Sequence, residues 1–133
     1  MMKVATELKQ SKVHGIGCFA TEDIPKDTVI WELDEPYDLV ITTEEYYQLP
    51  KNLRRYFAFY TYEEEEGKLV FCSDNAKYIN HSKTPNVIDY QRHSVAARDI
   101  KRGEELVCDY DKLGVTTSDS PWNQWRKLGD QPY

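Results

Sequence analysis

The apolar residues of this chain arrive in short runs, each closed by a turn signal, and that punctuation restricts the fold more than any other feature. Gly17 to Ala20 and Thr28 to Leu33 read as short strands, with Asp23-Ile24-Pro25-Lys26-Asp27 as the turn between them. Ala5 to Val13 supplies a first strand that ends at His14-Gly15. Tyr56 to Tyr62 alternates, which predicts a strand with Tyr56, Ala58, Tyr60 and Tyr62 on one face and Phe57 and Phe59 on the other. The acidic run Glu63 to Glu66 then meets Gly67, and Lys68 to Cys72 returns as a strand, so a hairpin with a charged, solvated tip is expected. Val87 to Gln91, Ser94 to Ala97 and Glu105 to Tyr110 read as further strands. Helix is expected only from the capping box Thr42-Glu45 to Leu49, where Pro50 stops it. Such a pattern predicts a mostly-β fold with little helix, and 133 residues fit one domain with one core.

One pattern occurs twice. Ala20-Thr-Glu-Asp23-Ile24-Pro-Lys-Asp27 is echoed by Ala96-Ala-Arg-Asp99-Ile100-Lys-Arg-Gly103, each followed by an apolar strand. The echo is too short for a repeat architecture and predicts the same corner made twice, in two sheets.

Composition narrows the function classes. The formal net charge is −6, without a basic stripe, so nucleic acid is not an expected partner, whereas a basic peptide would be drawn in. No apolar run reaches the length of a membrane span and the first residues lack a signal-peptide pattern, so an intracellular protein is expected. Cys18, Cys72 and Cys108 form no Cys-x-x-Cys pair, which points to buried free thiols, not disulfides or a zinc cluster. His14, His81 and His93 stand in unrelated contexts, so no metal site is expected.

Three polar clusters remain. Tyr78-Ile79 leads into Asn80-His81-Ser82-Lys83-Thr84-Pro85-Asn86, a rigid polar turn by composition, since Asn and Ser bond nearby backbone and Thr84 precedes a proline. Gly15-Ile16-Gly17-Cys18-Phe19 lies upstream, and Gly103-Glu104-Glu105-Leu106-Val107-Cys108-Asp109-Tyr110 downstream. In this order and at these separations, from Glu7 to Tyr110, the motifs resemble the SET-domain protein lysine methyltransferases, in the small form without zinc-binding flanking segments.

The resemblance implies the SET fold, several small curved sheets with a knot-like crossing near the C-terminus, and methyl transfer from S-adenosylmethionine to a lysine amine without a metal. It implies that Gly15, Ile16, Gly17, Cys18, Phe19, Asn80 and His81 bind the cofactor, and that Tyr110 is the catalytic tyrosine that also contacts it. Tyr78 and one of Tyr60 or Tyr62 are expected as further walls of a tyrosine-lined lysine channel. Trp122 and Trp125, in a tail 111–133 otherwise poor in apolar residues, are expected to stack on the adenine and close the site. The substrate implied is a basic protein or peptide, histone-tail-like or otherwise lysine-rich, with the enzyme a monomer or homodimer. A non-catalytic SET module that binds a peptide or the cofactor is the alternative. Glu104, Glu105 and Asp109 are expected to be structural, because an ionised carboxylate beside the amine would oppose its deprotonation.

Overall fold

The computed structural model describes residues 1–64 and 66–112. In chain order its elements are β1 (Thr6–Gln10), β2 (Ile16–Ala20), β3 (Val29–Glu32), β4 (Leu39–Ile41), α1 (Thr43–Gln48), α2 (Lys51–Tyr60), β5 (Thr61–Glu63), β6 (Leu69–Phe71), β7 (Asn80–His81), β8 (Val87–Asp89), β9 (His93–Ala96) and β10 (Val107–Cys108). They form three sheets: the ribbon β1-β2, a five-stranded sheet ordered β3-β9-β8-β10-β7, and a three-stranded sheet ordered β4-β6-β5. The mostly-β expectation therefore holds. The sheets enclose a core in which Cys18, Ala20, Ile30, Val70, Ala96, Ile100 and Leu106 are all fully buried.

The crossing lies in the five-stranded sheet. β10 runs parallel to both β7 and β8, with Val107 opposite Asn80 and Cys108 opposite His81 and Val87. β7 and β8 are joined only by residues 82–86, so this short link must pass across β10. A parallel crossover ordinarily takes a dozen or more residues; five suffice here because both strands are so short. Ser82 N–H bonds to Cys108 O at 2.9 Å and Asn86 N–H to Val107 O at 3.2 Å, which clamps the link onto the strand it crosses. Asn86, 2% exposed, completes the clamp by donating from Nδ2 to Glu105 O and accepting Val107 N–H on Oδ1.

The twofold echo is a structural pair. Ile24 and Ile100 exchange both backbone hydrogen bonds at 2.8 Å. Asp23 accepts the N–H of Arg102 while Asp99 accepts that of Lys26. Gly103 N–H bonds to Ala20 O while Asp27 N–H bonds to Ala96 O. The two corners are thus made alike and against each other, and the matched positions Asp27 and Gly103 both carry positive φ, 65° and 87°.

Three sequence expectations need correction. Tyr56 to Tyr60 belongs to α2, not to a strand; only Thr61 to Glu63 is extended. The alternation of bulky residues suited a strand, but tertiary packing prevails over pattern. As a helix the segment turns Ala58, with 0% exposure, toward Tyr46 and Leu69, and it packs Tyr56 against Tyr60 one turn later, with ring centres 5.0 Å apart. The acidic tip is not wholly solvated either, because Glu64 is buried and paired with Arg92 at 3.1 Å. Asn80 and His81 are a two-residue strand, with the polar turn beginning at Ser82. The capping box at Thr42 and Glu45 and the hairpin β5-β6 through Gly67 form as expected.

Space around a Cβ at Gly103 is open, so Gly103→Ala tests the backbone alone. It is expected to destabilise by about 1 kcal/mol, while Asp27→Gly at the matched position changes stability by only a few tenths of a kcal/mol. Urea unfolding of the two variants checks this asymmetry.

Candidate active site

The turn Ser11 to Gly15, the strand β7 and the end of α2 converge on a cavity of about 550 Å³. Val13, His14, Gly15 and Ile16 form one wall, Phe59, Tyr60, Lys77 and Tyr78 another, and Asn80, His81 and Tyr110 the floor. Its size and its mix of aromatic faces with a few polar groups suit a small organic ligand. A narrower cavity, about 70 Å³, is lined by Tyr60, Tyr62, Trp31, Ile79, Asp89 and Tyr110 among others. Phe59, Tyr60, Lys77 and Tyr110 line both, so the two spaces adjoin at these side chains.

The wall of the larger cavity is held by one carboxylate. Glu105 accepts hydrogen bonds from Ser11 Oγ at 2.8 and 2.9 Å and from Asn80 Nδ2 at 2.9 Å. Ser11 Oγ in turn accepts the N–H groups of Val13 and His14. The Asn80 amide shares its hydrogens with the carbonyls of His14 and Ile16 at 3.0 and 3.1 Å as well. Ser11 N–H closes the turn on Gly15 O, and Gly15 supplies the left-handed φ of 47° that the turn needs. Gly17 gives the carboxylate room, since a Cβ there would lie 2.8 Å from Cδ of Glu105 and closer still to Oε1. The three motifs therefore meet at a single side chain.

On the floor, the N–H of Tyr110 donates to His81 Nδ1 at 3.1 Å, which makes Nδ1 an acceptor and puts the ring proton on Nε2. His81, Asp109 and Asp111 present ligand atoms within 4.8 Å of one another, as a metal site would. Here the Lys83 ammonium already bonds Asp111 and lies 3.5 Å from Asp109, and Nδ1 is engaged by Tyr110, so the cluster is satisfied by its own groups. The Tyr110 hydroxyl donates to Ile79 O at 2.5 Å. Having spent its only hydrogen there, it meets a further partner in the cavity as an acceptor.

The narrow cavity shifts the groups that line it. Burial pushes the Tyr62 hydroxyl and the Cys72 thiol up, keeping both protonated. Burial also raises the Asp89 carboxyl to about 6, against the smaller opposing effects of the Gln91 N–H bond and of His93.

Of the sequence-derived candidates, Gly15, Ile16, Tyr60, Tyr78, Asn80, His81 and Tyr110 come together around the larger cavity. Gly17, Cys18 and Phe19 stand behind it: Gly17 and Cys18 are buried, and the Phe19 ring lies under the Lys9 ammonium. Burial raises the Cys18 thiol to about 11, as befits a core residue. Tyr60 ends α2 and lines both cavities, whereas Tyr62, on β5, lines only the narrow one. Trp122 and Trp125 lie outside the described residues. Val13, His14, Phe59 and Lys77 line the larger cavity without having been singled out in the sequence. Phe59 was placed on the wrong face by the strand reading, and nothing local marks the other three.

Comparison with known proteins agrees with this geometry. The family model of the SET domain matches residues 15–111. The chain belongs to the SET domain family. The Drosophila melanogaster histone-lysine N-methyltransferase trr is 32% identical over 112 residues, covering 77% of this chain and 5% of that protein. The Homo sapiens histone-lysine N-methyltransferase 2D is 27% identical over 114 residues, covering 77% of this chain and 2% of that one. This SET chain thus spans only a small fraction of the curated relatives it matches. Among solved structures, a humanized mutant of the Chaetomium thermophilum Polycomb Repressive Complex 2 has a TM-score of 0.62 at 26% identity, over 83% of this chain and 15% of that one. An active polycomb repressive complex 2 in the basal state has a TM-score of 0.62 at 27% identity, over 80% and 15%.

Gly17→Ala is expected to cost about 1–3 kcal/mol by overpacking. In an Glu105→Ala background the same change costs less, so a double-mutant cycle by urea unfolding yields a non-additive double variant. A second expectation concerns Asp89, whose folded carboxyl titrates at about 6 against an ordinary 3.8. Its ionisation in the folded state costs ~3 kcal/mol, absent below about pH 4 and complete above about pH 6. Asp89→Asn keeps an acceptor for Gln91 N–H and removes that cost. It should therefore raise stability above about pH 6, with the gain fading toward about pH 4; unfolding curves across that range measure it.

Proposed function

We propose that this chain is an S-adenosylmethionine-dependent protein-lysine N-methyltransferase. The observation that carries the reading is the pair of adjoining cavities sharing Phe59, Tyr60, Lys77 and Tyr110, one roomy with a polar rim and one narrow and aromatic. Direct transfer between two ligands needs such an arrangement, with donor and acceptor meeting through a constriction that fixes the line of attack. The cofactor, when bound, supplies a methyl group on a sulfonium centre. In the larger cavity Val13 to Ile16 offer backbone groups, Asn80 and His81 close the floor, and the rings of Phe59, Tyr60 and Tyr78 offer apolar faces.

In the narrow cavity the tyrosines enclose the lysine stem, and the Tyr110 oxygen, as an acceptor, orients the amine. A lysine amine with a pKa of about 10.4 costs roughly 4–5 kcal/mol to deprotonate at neutral pH, and an apolar channel beside a cation reduces that cost.

The substrate is a basic protein or peptide, in keeping with a net charge of −6 and with relatives named as histone-lysine methyltransferases. We read the chain as one SET unit, with residues 111–133, including Trp122 and Trp125, as a tail that closes the site over the ligands. It works inside the cell, in the cytoplasm or nucleus, as a monomer or homodimer. No described helix is long and apolar enough to cross a membrane.

Calorimetric binding of S-adenosylmethionine and S-adenosylhomocysteine to the purified protein tests the cofactor site. Binding is expected, and Asn80→Ala, which frees the carbonyls of His14 and Ile16, is expected to weaken it at least tenfold. A wild-type protein that binds neither compound overturns the reading. Tyr110→Phe is expected to lower turnover about 100-fold or more while leaving cofactor affinity within a few-fold. The opposite split would place Tyr110 in cofactor binding instead.

A further inference from the structure

Among the described residues that line the narrow cavity, Asp89 is the one carboxylate. Its place follows from the sheet. β8 and β10 are parallel with Val87 opposite Cys108, so two residues further along each chain lie Asp89 and Tyr110. All four of these residues line the same cavity. Asp89 Oδ1 accepts the Gln91 N–H at 2.7 Å, and Oδ2 has no hydrogen-bond partner among the described residues. The cation nearest in the cavity wall, Lys77, does not pair with it; its ammonium rests over the rings of Phe71 and Tyr78 at 5.2 and 5.5 Å.

The other titratable groups around Asp89 leave it as the proton acceptor of the cavity. Tyr62 from β5 and Cys72 after β6 are held protonated by burial, and the Tyr62 hydroxyl donates to Gln91 O. His93, across the β8-β9 turn, favours the ionised carboxyl but less than burial opposes it. Glu64, Asp38 and Asp74 act on Tyr62 or Cys72 from behind. A carboxyl whose charged form is disfavoured at neutral pH, yet which is still ionised there, is matched to accept a proton.

We propose that Asp89 takes the proton that the target amine must lose, an inference that rests on the methyltransferase reading above. An Nζ–H bond of the entering ammonium breaks and an Oδ2–H bond forms on Asp89. The nitrogen lone pair so released forms the new N–CH3 bond. The sulfur–carbon bond of the sulfonium donor breaks with its electron pair on sulfur, leaving a neutral thioether and a methylammonium product. Asp89 then returns its proton to water. In a low-dielectric cavity the neutral amine and carboxylic acid compete with the ion pair, because both charges lose hydration there. That separates Asp89 from a solvated carboxylate, which would only raise the basicity of the amine.

The test compares wild type with Asp89→Asn, and with Asp89→Ser should the first fail to fold, on a lysine-rich peptide. A second peptide carries a target amine made less basic by a sulfur atom in the side chain. Carboxyl NMR of the wild type is expected to show Asp89 titrating near pH 6, independently of activity. The wild-type kcat/KM should rise with pH through that same midpoint, because the base form is the active one. Asp89→Asn should lose this rise and about 100-fold or more in turnover on the lysine peptide. Cofactor affinity should be unchanged, and much of the turnover should return on the less basic amine. A variant that keeps the wild-type rate and profile overturns the proposal, as does one that loses equal activity on both peptides. A wild type that methylates the peptide while Asp89→Asn does so equally well defeats this inference alone; a wild type that binds no cofactor defeats the methyltransferase reading and this with it.

Discussion

The hydrogen bonds that Glu105 accepts from Ser11 and Asn80 are the contact on which the rest of the site depends. They join three segments that are far apart in sequence: the turn before β2, the strand β7 and the approach to β10. Each segment alone would be a poorly restrained loop or a two-residue strand, too short to be stable by itself. Joined through one carboxylate, they become mutually restraining. The charged acceptor makes those bonds stronger than neutral ones, and its removal would leave the Asn80 amide held by the His14 and Ile16 carbonyls alone, with nothing to tie it to the approach to β10.

The same economy explains the crossing. Placing β10 between β7 and β8 brings Cys108 and Tyr110 beside Val87 and Asp89, so residues from two distant stretches face one narrow space. The link 82–86 and the Asn86 side chain fix that register, and register decides which face a side chain occupies. A slip of one residue in β8 would turn Asp89 out of the cavity. The paired corners at Ile24 and Ile100 play a comparable part at the other end, tying the end of β2 to the end of β9 and so the ribbon to the main sheet.

How much of this could be read from the chain depends on whether the information was local. Turn chemistry and capping are local, and the Thr42 cap, the Gly67 hairpin and most strand positions were legible for that reason. The motifs at Gly15, Asn80 and Glu105 were legible through their order and spacing, and Glu105 was expected to be structural. That the Asn80 amide bridges the His14 and Ile16 carbonyls, and that Glu105 fills the space over Gly17, depend instead on long-range packing. Helix α2 was not, since its alternation suits a strand and only Ala58 packing against Tyr46 and Leu69 decides otherwise. Losing the helix meant losing Phe59 as a cavity residue. His14 and Lys77 were missed for another reason. Their part in the site comes from where the backbone places them beside Phe59 and Tyr78, which no pattern of neighbours records.

The contrast between Asp109 and Asp89 shows why a residue type does not by itself state a role. Asp109 directly follows β10, with the Lys83 ammonium at 3.5 Å and the N–H of Asp111 donating to its Oδ1. A carboxylate so placed already has a cation beside it and is engaged by its own neighbours. Asp89 sits in a cavity walled by rings and makes no ion pair among the described residues, so burial outweighs the opposing pull of His93 and its ionised form is the costly one. In the role proposed for Asp89, transfer of a proton from an entering ammonium would relieve two buried charges at once.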